Sequence, residues 1–256
     1  LKKLVTYHMV MMVSRPYIDM TLELMKQFGV TASVSNDGTL IHVDRCVIEP
    51  CDLTIEPDAS NASYFLAAAA AMPGARMSVR GIGSESLQGD ARFAEAVLRP
   101  MGAEVEVEPD AITVRGPSRL SAIDVDLADM PDMAQTLAVL ALFAEGTTVI
   151  RGIGNLRVKE TDRLAALEAE LGRLGGEAQV TGDTLRVTPP RTELAPALIR
   201  TYDDHRMAMS FAIAGLRSRG VVINEPGCVA KTFPDFFDYL SRLGATCSAA
   251  APESPS

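Results

Sequence analysis

Cysteine is scarce and scattered. Cys46, Cys51, Cys228 and Cys247 are the four in 256 residues, and they form no CxxC pair and no Cys/His metal-ligand spacing. That pattern argues against a disulfide scaffold or a zinc module and fits reduced thiols in a cytoplasmic protein. Long apolar runs are also lacking. "FLAAAAAM" at residues 65–72 falls far short of the roughly 18 residues a membrane span needs, and no stretch reads as a secretory signal, so no membrane partner is expected. Positive charge is in deficit. Lys and Arg number 24 against 33 Asp and Glu, a net charge of −9, which argues against non-specific nucleic-acid binding. Such a chain repels anionic ligands unless cations are gathered locally. Of three histidines, only His205 lies in a charged cluster.

What the chain does have is apolar substance: 47% hydrophobic against 22% charged residues, enough for a core without staples. The two ends stand apart. Residues 1–12 match nothing that follows, and residues 248–256, "SAAAPESPS", are expected to be a disordered tail.

Self-comparison exposes a repeat. "PDASNASYFLAAAAAMPG", "PDMAQTLAVLALFAEG" and "YDDHRMAMSFAIAGLRSRG" each run from an acid into small apolar residues. Their acids, Asp58, Asp132 and Asp204, recur at near-constant spacing (132 − 58 = 74; 204 − 132 = 72). Each is followed by a strand-like segment, a loop and a second helix ending in glycine: Gly102, Gly175 and Gly244. Glycine relieves the Cβ penalty of a left-handed helix cap. The first two copies continue into a hairpin pattern, "AEVEVEPDAITVRG" and "EAQVTGDTLRVTPP". Upstream, "LELMKQFGVTASVSNDGTLIHV" repeats the helix end and hairpin, with Gly29 placed 73 residues before Gly102 (102 − 29 = 73). Pro50 and Pro57 mark a crossing between domains.

The pattern predicts an α/β (α+β) fold. It has three βαβαββ units over residues 49–247, preceded over residues 1–48 by the last half-unit of a second, similar domain. The first helix of each unit is nearly all apolar and should be buried. The second is amphipathic, with Leu164, Leu167, Leu171 and Leu174 at helical spacing.

Charged residues interrupt this framework at equivalent places. The loop before the second helix carries Lys159, Glu160 and Arg163 in the second unit and Lys231 in the third. The start of the buried helix carries Asp132 in the second unit and "DDHR", residues 203–206, in the third. Helix N-termini present free N–H groups and favour anions, so cations added there make a phosphate or carboxylate site. Taken alone, "KETDR" is equally an ordinary capped and solvated helix start. "DDHR" leads straight into a buried helix, where a charge needs a partner or a ligand.

Together, "SRPYIDMTL", "DASNASYFLAAAA", "LRVKETDRLAAL", "YDDHRMAMSFAIAG" and "CVAKTFPDFFDYL" resemble the 5-enolpyruvylshikimate-3-phosphate (EPSP) synthase family. The resemblance runs from Ser14 to Gly244, the C-terminal part of a family member. It implies an enolpyruvyl transferase-like, inside-out α/β domain. The implied activity joins phosphoenolpyruvate to shikimate 3-phosphate and releases phosphate, with no metal and no cofactor.

By resemblance, Arg163, Arg206 and Lys231 hold phosphoenolpyruvate, supported by Asp204 and His205. Glu160 takes part in proton transfer, and Asp132 contacts the shikimate hydroxyls and acts as base. Ser14, Tyr17, Asn155 and Lys159 contact shikimate 3-phosphate. The resemblance also implies a missing N-terminal domain, supplied in cis or in trans, and a monomeric complete enzyme, so the chain alone is expected to be an inactive fragment. Two other readings stand beside this one: a UDP-sugar enolpyruvyl transferase, and a non-catalytic anion-binding domain.

Overall fold

A computed structural model describes residues 5–8, 15–44 and 46–248. The first elements are a strand β1 (Val5–His8), a helix α1 (Arg15–Gln27) and a hairpin of β2 (Ala32–Val34) and β3 (Leu40–Val43). They form an antiparallel sheet in the order β1-β3-β2, with Val43 opposite both Val5 and Ala32. The helix and hairpin match the expected half-unit. The strand β1 does not follow from the repeat: its "VTYH" has no counterpart downstream and finds its place only by pairing with β3.

The first full unit contains α2 (Ala59–Ala71), β4 (Arg76–Arg80), β5 (Glu104–Val107) and β6 (Ala111–Arg115). The second contains β7 (Leu120–Ser121), β8 (Asp124–Asp126), α3 (Ala134–Ala141), β9 (Ala144–Glu145), β10 (Thr148–Arg151), α4 (Arg163–Arg173), β11 (Glu177–Thr181) and β12 (Thr184–Thr188). The third contains β13 (Ala197–Ile199), α5 (His205–Arg217), β14 (Val221–Ile223) and α6 (Phe236–Arg242). The unit sheets run β4-β6-β5, β11-β12-β10-β8 and β13-β14, with β8–β10 and β13–β14 parallel and the hairpins antiparallel.

The three apolar helices α2, α3 and α5 pack against one another and form the centre of the molecule. Every residue of α3 is buried, as are eleven of the thirteen in α2, but only eight of the thirteen in α5, whose C-terminal turn reaches the surface at Gly215 and Arg217. The sheets lie outside them, and strands such as β4 and β11 alternate between exposed and half-buried residues. This inside-out order follows from composition: alanine-rich helices let backbones approach closely, while strands with one polar face tolerate water. The predicted glycine caps hold in all four copies, with φ of 74° at Gly29, 102° at Gly102, 87° at Gly175 and 101° at Gly244.

One expectation needs correction. The second helix of the first unit is not an α-helix but a 3-10 turn, Gly89–Arg92, followed by a π-helical turn, Ala94–Leu98. Pro100 supplies the cause, since its ring would collide with a carbonyl four residues back and it offers no N–H. The ladder opens ahead of it, with Arg99 N bonding Ala94 O at 2.9 Å.

Candidate active site

Three helix starts and one loop converge on a network of charges. Asp204 caps α5 by accepting from the Arg206 amide at 2.9 Å. Asp162 caps α4 by accepting from the Ala165 amide at 3.1 Å. Asp132 sits in a 3-10 turn, Pro131–Met133, that leads into α3 without a side-chain cap.

The hub is Arg163, whose side chain is only 1% exposed. Its guanidinium donates to three carboxylates. Nε and Nη2 reach Asp204 at 2.7 and 3.3 Å, Nη1 reaches Asp132 at 3.0 Å, and Nη2 reaches Glu160 at 2.7 Å. A planar fork is the donor geometry such a cluster needs. The reading of this segment as a solvated helix start is thus half right. Asp162 does cap, and Arg157 pairs with it on the surface at 3.6 Å, but Arg163 is enclosed.

Three further cations surround the hub. Arg206 donates to Asp132 at 3.0 Å and to the Tyr64 hydroxyl at 3.3 Å. Lys159 Nζ lies 3.7 Å from Asp132. Lys231 bonds Glu160 from the third unit's loop; its side chain is 54% exposed and so is reachable by a ligand. Burial works to raise the Asp132 carboxyl, but Arg206, Lys159 and Arg163 outweigh it and hold the group below the usual aspartate range. Burial likewise opposes ionisation of Glu160, yet the Lys231 contact and the Arg163 charge bring it down to about 2. Both acids are carboxylates at neutral pH. His205 is buried, which lowers its pKa and keeps it neutral; its Nδ1 lies 3.7 Å from Asp204.

The expected residues Asp132, Glu160, Arg163, Arg206, Lys231, Lys159 and Asp204 therefore meet in one network, with His205 beside Asp204. Tyr17 of α1 joins them, its hydroxyl 3.4 Å from Asp132. Asn155 lies in the 3-10 turn Gly154–Val158 on the approach to Lys159. Ser14 lies outside the described residues. Two members were not anticipated. Tyr64 is buried on α2 and contacts Arg206. Asp90 accepts from Ser60 and, at 3.2 Å, from Tyr17; burial pushes its carboxyl up. The repeat held the signal for Asp90, because "QGDAR" occupies in the first unit the loop position that "KETDR" occupies in the second.

Known structures share this fold. The chain superimposes on EPSP synthase from Acinetobacter baumannii with a TM-score of 0.79 at 25% identity, over 94% of this chain and 57% of that one. It also matches the fold of the enolpyruvyl transferase NikO from Streptomyces tendae, with a TM-score of 0.72 at 21% identity over 95% of this chain and 56% of that one. The fold is thus that of an enolpyruvyl transferase-type α/β domain.

The family model for EPSP synthase (3-phosphoshikimate 1-carboxyvinyltransferase) matches residues 2–240, and the chain belongs to that family. Curated relatives named 3-phosphoshikimate 1-carboxyvinyltransferase include one from Aliivibrio fischeri (strain MJ11), 49% identical over 233 residues, and one from Vibrio atlanticus (strain LGP32), 50% identical over 234. Each alignment covers 91% of this chain and 54% of the relative, so the chain spans about half the length of the relatives it matches. Among the described residues no helix is long and apolar enough to cross a membrane.

Proposed function

We propose that this chain carries the phosphoenolpyruvate half of an active site that transfers an enolpyruvyl group to shikimate 3-phosphate, giving 5-enolpyruvylshikimate 3-phosphate and phosphate. The observation that carries the reading is the convergence of Lys159, Arg163, Arg206 and Lys231 with Asp132 and Glu160, drawn from the second and third units, in a chain of this family. Arg206 and Lys231 face the anionic phosphoenolpyruvate, with Arg163 beneath them. Lys159, Asn155, Tyr17 and Ser14 contact shikimate 3-phosphate. Asp204 and His205 support the phosphoenolpyruvate side.

In the first step Asp132 takes the proton of the attacking hydroxyl while its oxygen bonds C2 of phosphoenolpyruvate. The C2–C3 double bond takes up a proton at C3 from the Lys231–Glu160 pair. In the second step the C2–O bond to phosphate breaks, the phosphate leaves with that electron pair and takes the proton held by Asp132, a proton leaves C3 for the carboxylate of Glu160, and the double bond re-forms. Fixed cations offset the charge of an intermediate that keeps both phosphates, and preorganised electrostatics of this kind is usually the largest catalytic term. Two carboxylates in one site divide the proton roles.

The whole enzyme requires an N-terminal domain in cis or in trans, acts as a monomer and works in the cytoplasm. The test is a phosphate-release assay with phosphoenolpyruvate, run on the chain with its upstream domain added. Release with shikimate 3-phosphate and none with a UDP-sugar acceptor is expected. The reverse preference, or binding of phosphoenolpyruvate with no release under any condition, overturns the reading.

A further inference from the structure

Glu170 is wholly buried on α4, two helical turns after Arg163 and on the same face. No part of the chemistry above uses it. Its carboxylate accepts from the Tyr202 hydroxyl at 2.7 Å, the Arg200 backbone amide at 3.1 Å and Arg173 Nε at 3.2 Å. Two of those partners belong to the turn that joins β13 to α5. That turn is unusual: Tyr202 and Asp203 are consecutive non-glycine residues at φ of 54° and 56°, in the left-handed region that side chains with a Cβ avoid. Such conformations persist only where surrounding contacts impose them, and they gather at functional sites. The residues that follow are Asp204, His205 and Arg206. α4 therefore grips this turn at both ends, Arg163 through Asp204 and Glu170 through Arg200 and Tyr202.

We propose that Glu170 is a positioning residue, clamping the left-handed Tyr202–Asp203 turn so that Asp204 and Arg206 are held at the anion site. The proposal rests on the reading of Arg206 as a phosphoenolpyruvate contact. The backbone route is short. The turn sets where Asp204 stands, Asp204 fixes the Arg206 amide at 2.9 Å and holds Arg163, and the Arg206 guanidinium then reaches Asp132.

The test compares Tyr202→Phe, Glu170→Gln and Glu170→Ala with the parent chain. It measures phosphoenolpyruvate affinity by calorimetry, amide exchange at Arg206, and thermal midpoint. Tyr202→Phe removes one hydroxyl and leaves the core intact. It should weaken phosphoenolpyruvate about 10-fold, the equivalent of one lost hydrogen bond to a charged group, and speed exchange at Arg206 relative to the α3 amides. Glu170→Gln can still bridge the Arg200 amide and Tyr202, and should retain more affinity than Glu170→Ala. A fall in thermal midpoint with Arg206 exchange and affinity unchanged would make Glu170 a structural brace only and overturn the proposal. If the parent chain binds no phosphoenolpyruvate, the substrate reading fails by itself. The exchange comparison then still decides whether Glu170 holds the turn.

Discussion

Replacing Arg163 with methionine keeps most of the buried volume and removes the charge that three carboxylates share. The cost falls unevenly. Glu160, about a quarter exposed, keeps Lys231, and Asp132 keeps Arg206 and Lys159. Asp204, with no exposure, keeps the Arg206 amide and a neutral His205. Stranding one buried charge in this way costs about 3–5 kcal/mol, and Asp204 should account for most of it. Urea unfolding near neutral pH reads the loss as a shifted midpoint at unchanged slope.

The pH dependence supplies a second, independent reading. In the parent, Asp132 and Glu160 have folded pKa values below their ordinary 3.8 and 4.5. They therefore contribute stability that is complete above those values and is lost as pH falls toward the folded ones, about 2 for Glu160. Without Arg163 the folded values of Asp132 and Glu160 climb, and these two carboxylates take up protons earlier. The gap between parent and variant should be widest near neutral pH and should narrow as pH drops below about 4.5. A loss under about 1 kcal/mol, the size of an exposed ion pair, would refute Arg163 as the hub. So would a gap that ignores pH.

Two further outcomes follow from the site in the complete enzyme. Arg206→Ala and Lys231→Ala should each weaken phosphoenolpyruvate binding by about 1.5–3 kcal/mol, measured by titration against the exposed control Arg219→Ala; equal effects in all three would remove the anion site. Asp132→Ala should lower kcat by roughly 10²–10⁴-fold with little change in the melt, because Arg163 keeps Asp204 and Glu160; a large loss of stability at unchanged kcat would make Asp132 structural.

Much of the frame was legible because repetition restates each signal. The alanine run of α2 and the capping glycines appear in register with their copies, so a weak local cue became a strong one. The charges were harder. Nothing in "KETDR" distinguishes the enclosed Arg163 from the exposed Arg157, since burial depends on Asp204 and Asp132 arriving from other units. Tyr17 entered through family resemblance, because its contact with Asp132 spans the junction between the half-unit and the first full unit. Apolar spacing carries no sign of the π-helical turn, because Pro100 acts on the hydrogen-bond ladder and not on the pattern of side chains.

The three equivalent aspartates show how one framework yields different chemistry. Asp58 caps α2 through the Asn61 amide, and Asn61 in turn reaches the Thr232 carbonyl beside Lys231. Asp204 caps α5 and grips Arg163 as well. Asp132 does not cap at all. Pro131 precedes it in the first helical position, where its missing N–H costs nothing, and the start of α3 becomes a 3-10 turn with Met133 at the cap position. The carboxylate is thereby released from the helix backbone and turned to Arg206, Lys159 and Arg163. A cap carboxylate is committed to amide donors, whereas one surrounded by cations and a hydroxyl stays ionised and can exchange a cation for a proton. Proline alone does not make the difference, because Pro57 precedes Asp58 just as Pro131 precedes Asp132; the 3-10 turn that carries Asp132 past the cap position separates it from its two capping counterparts.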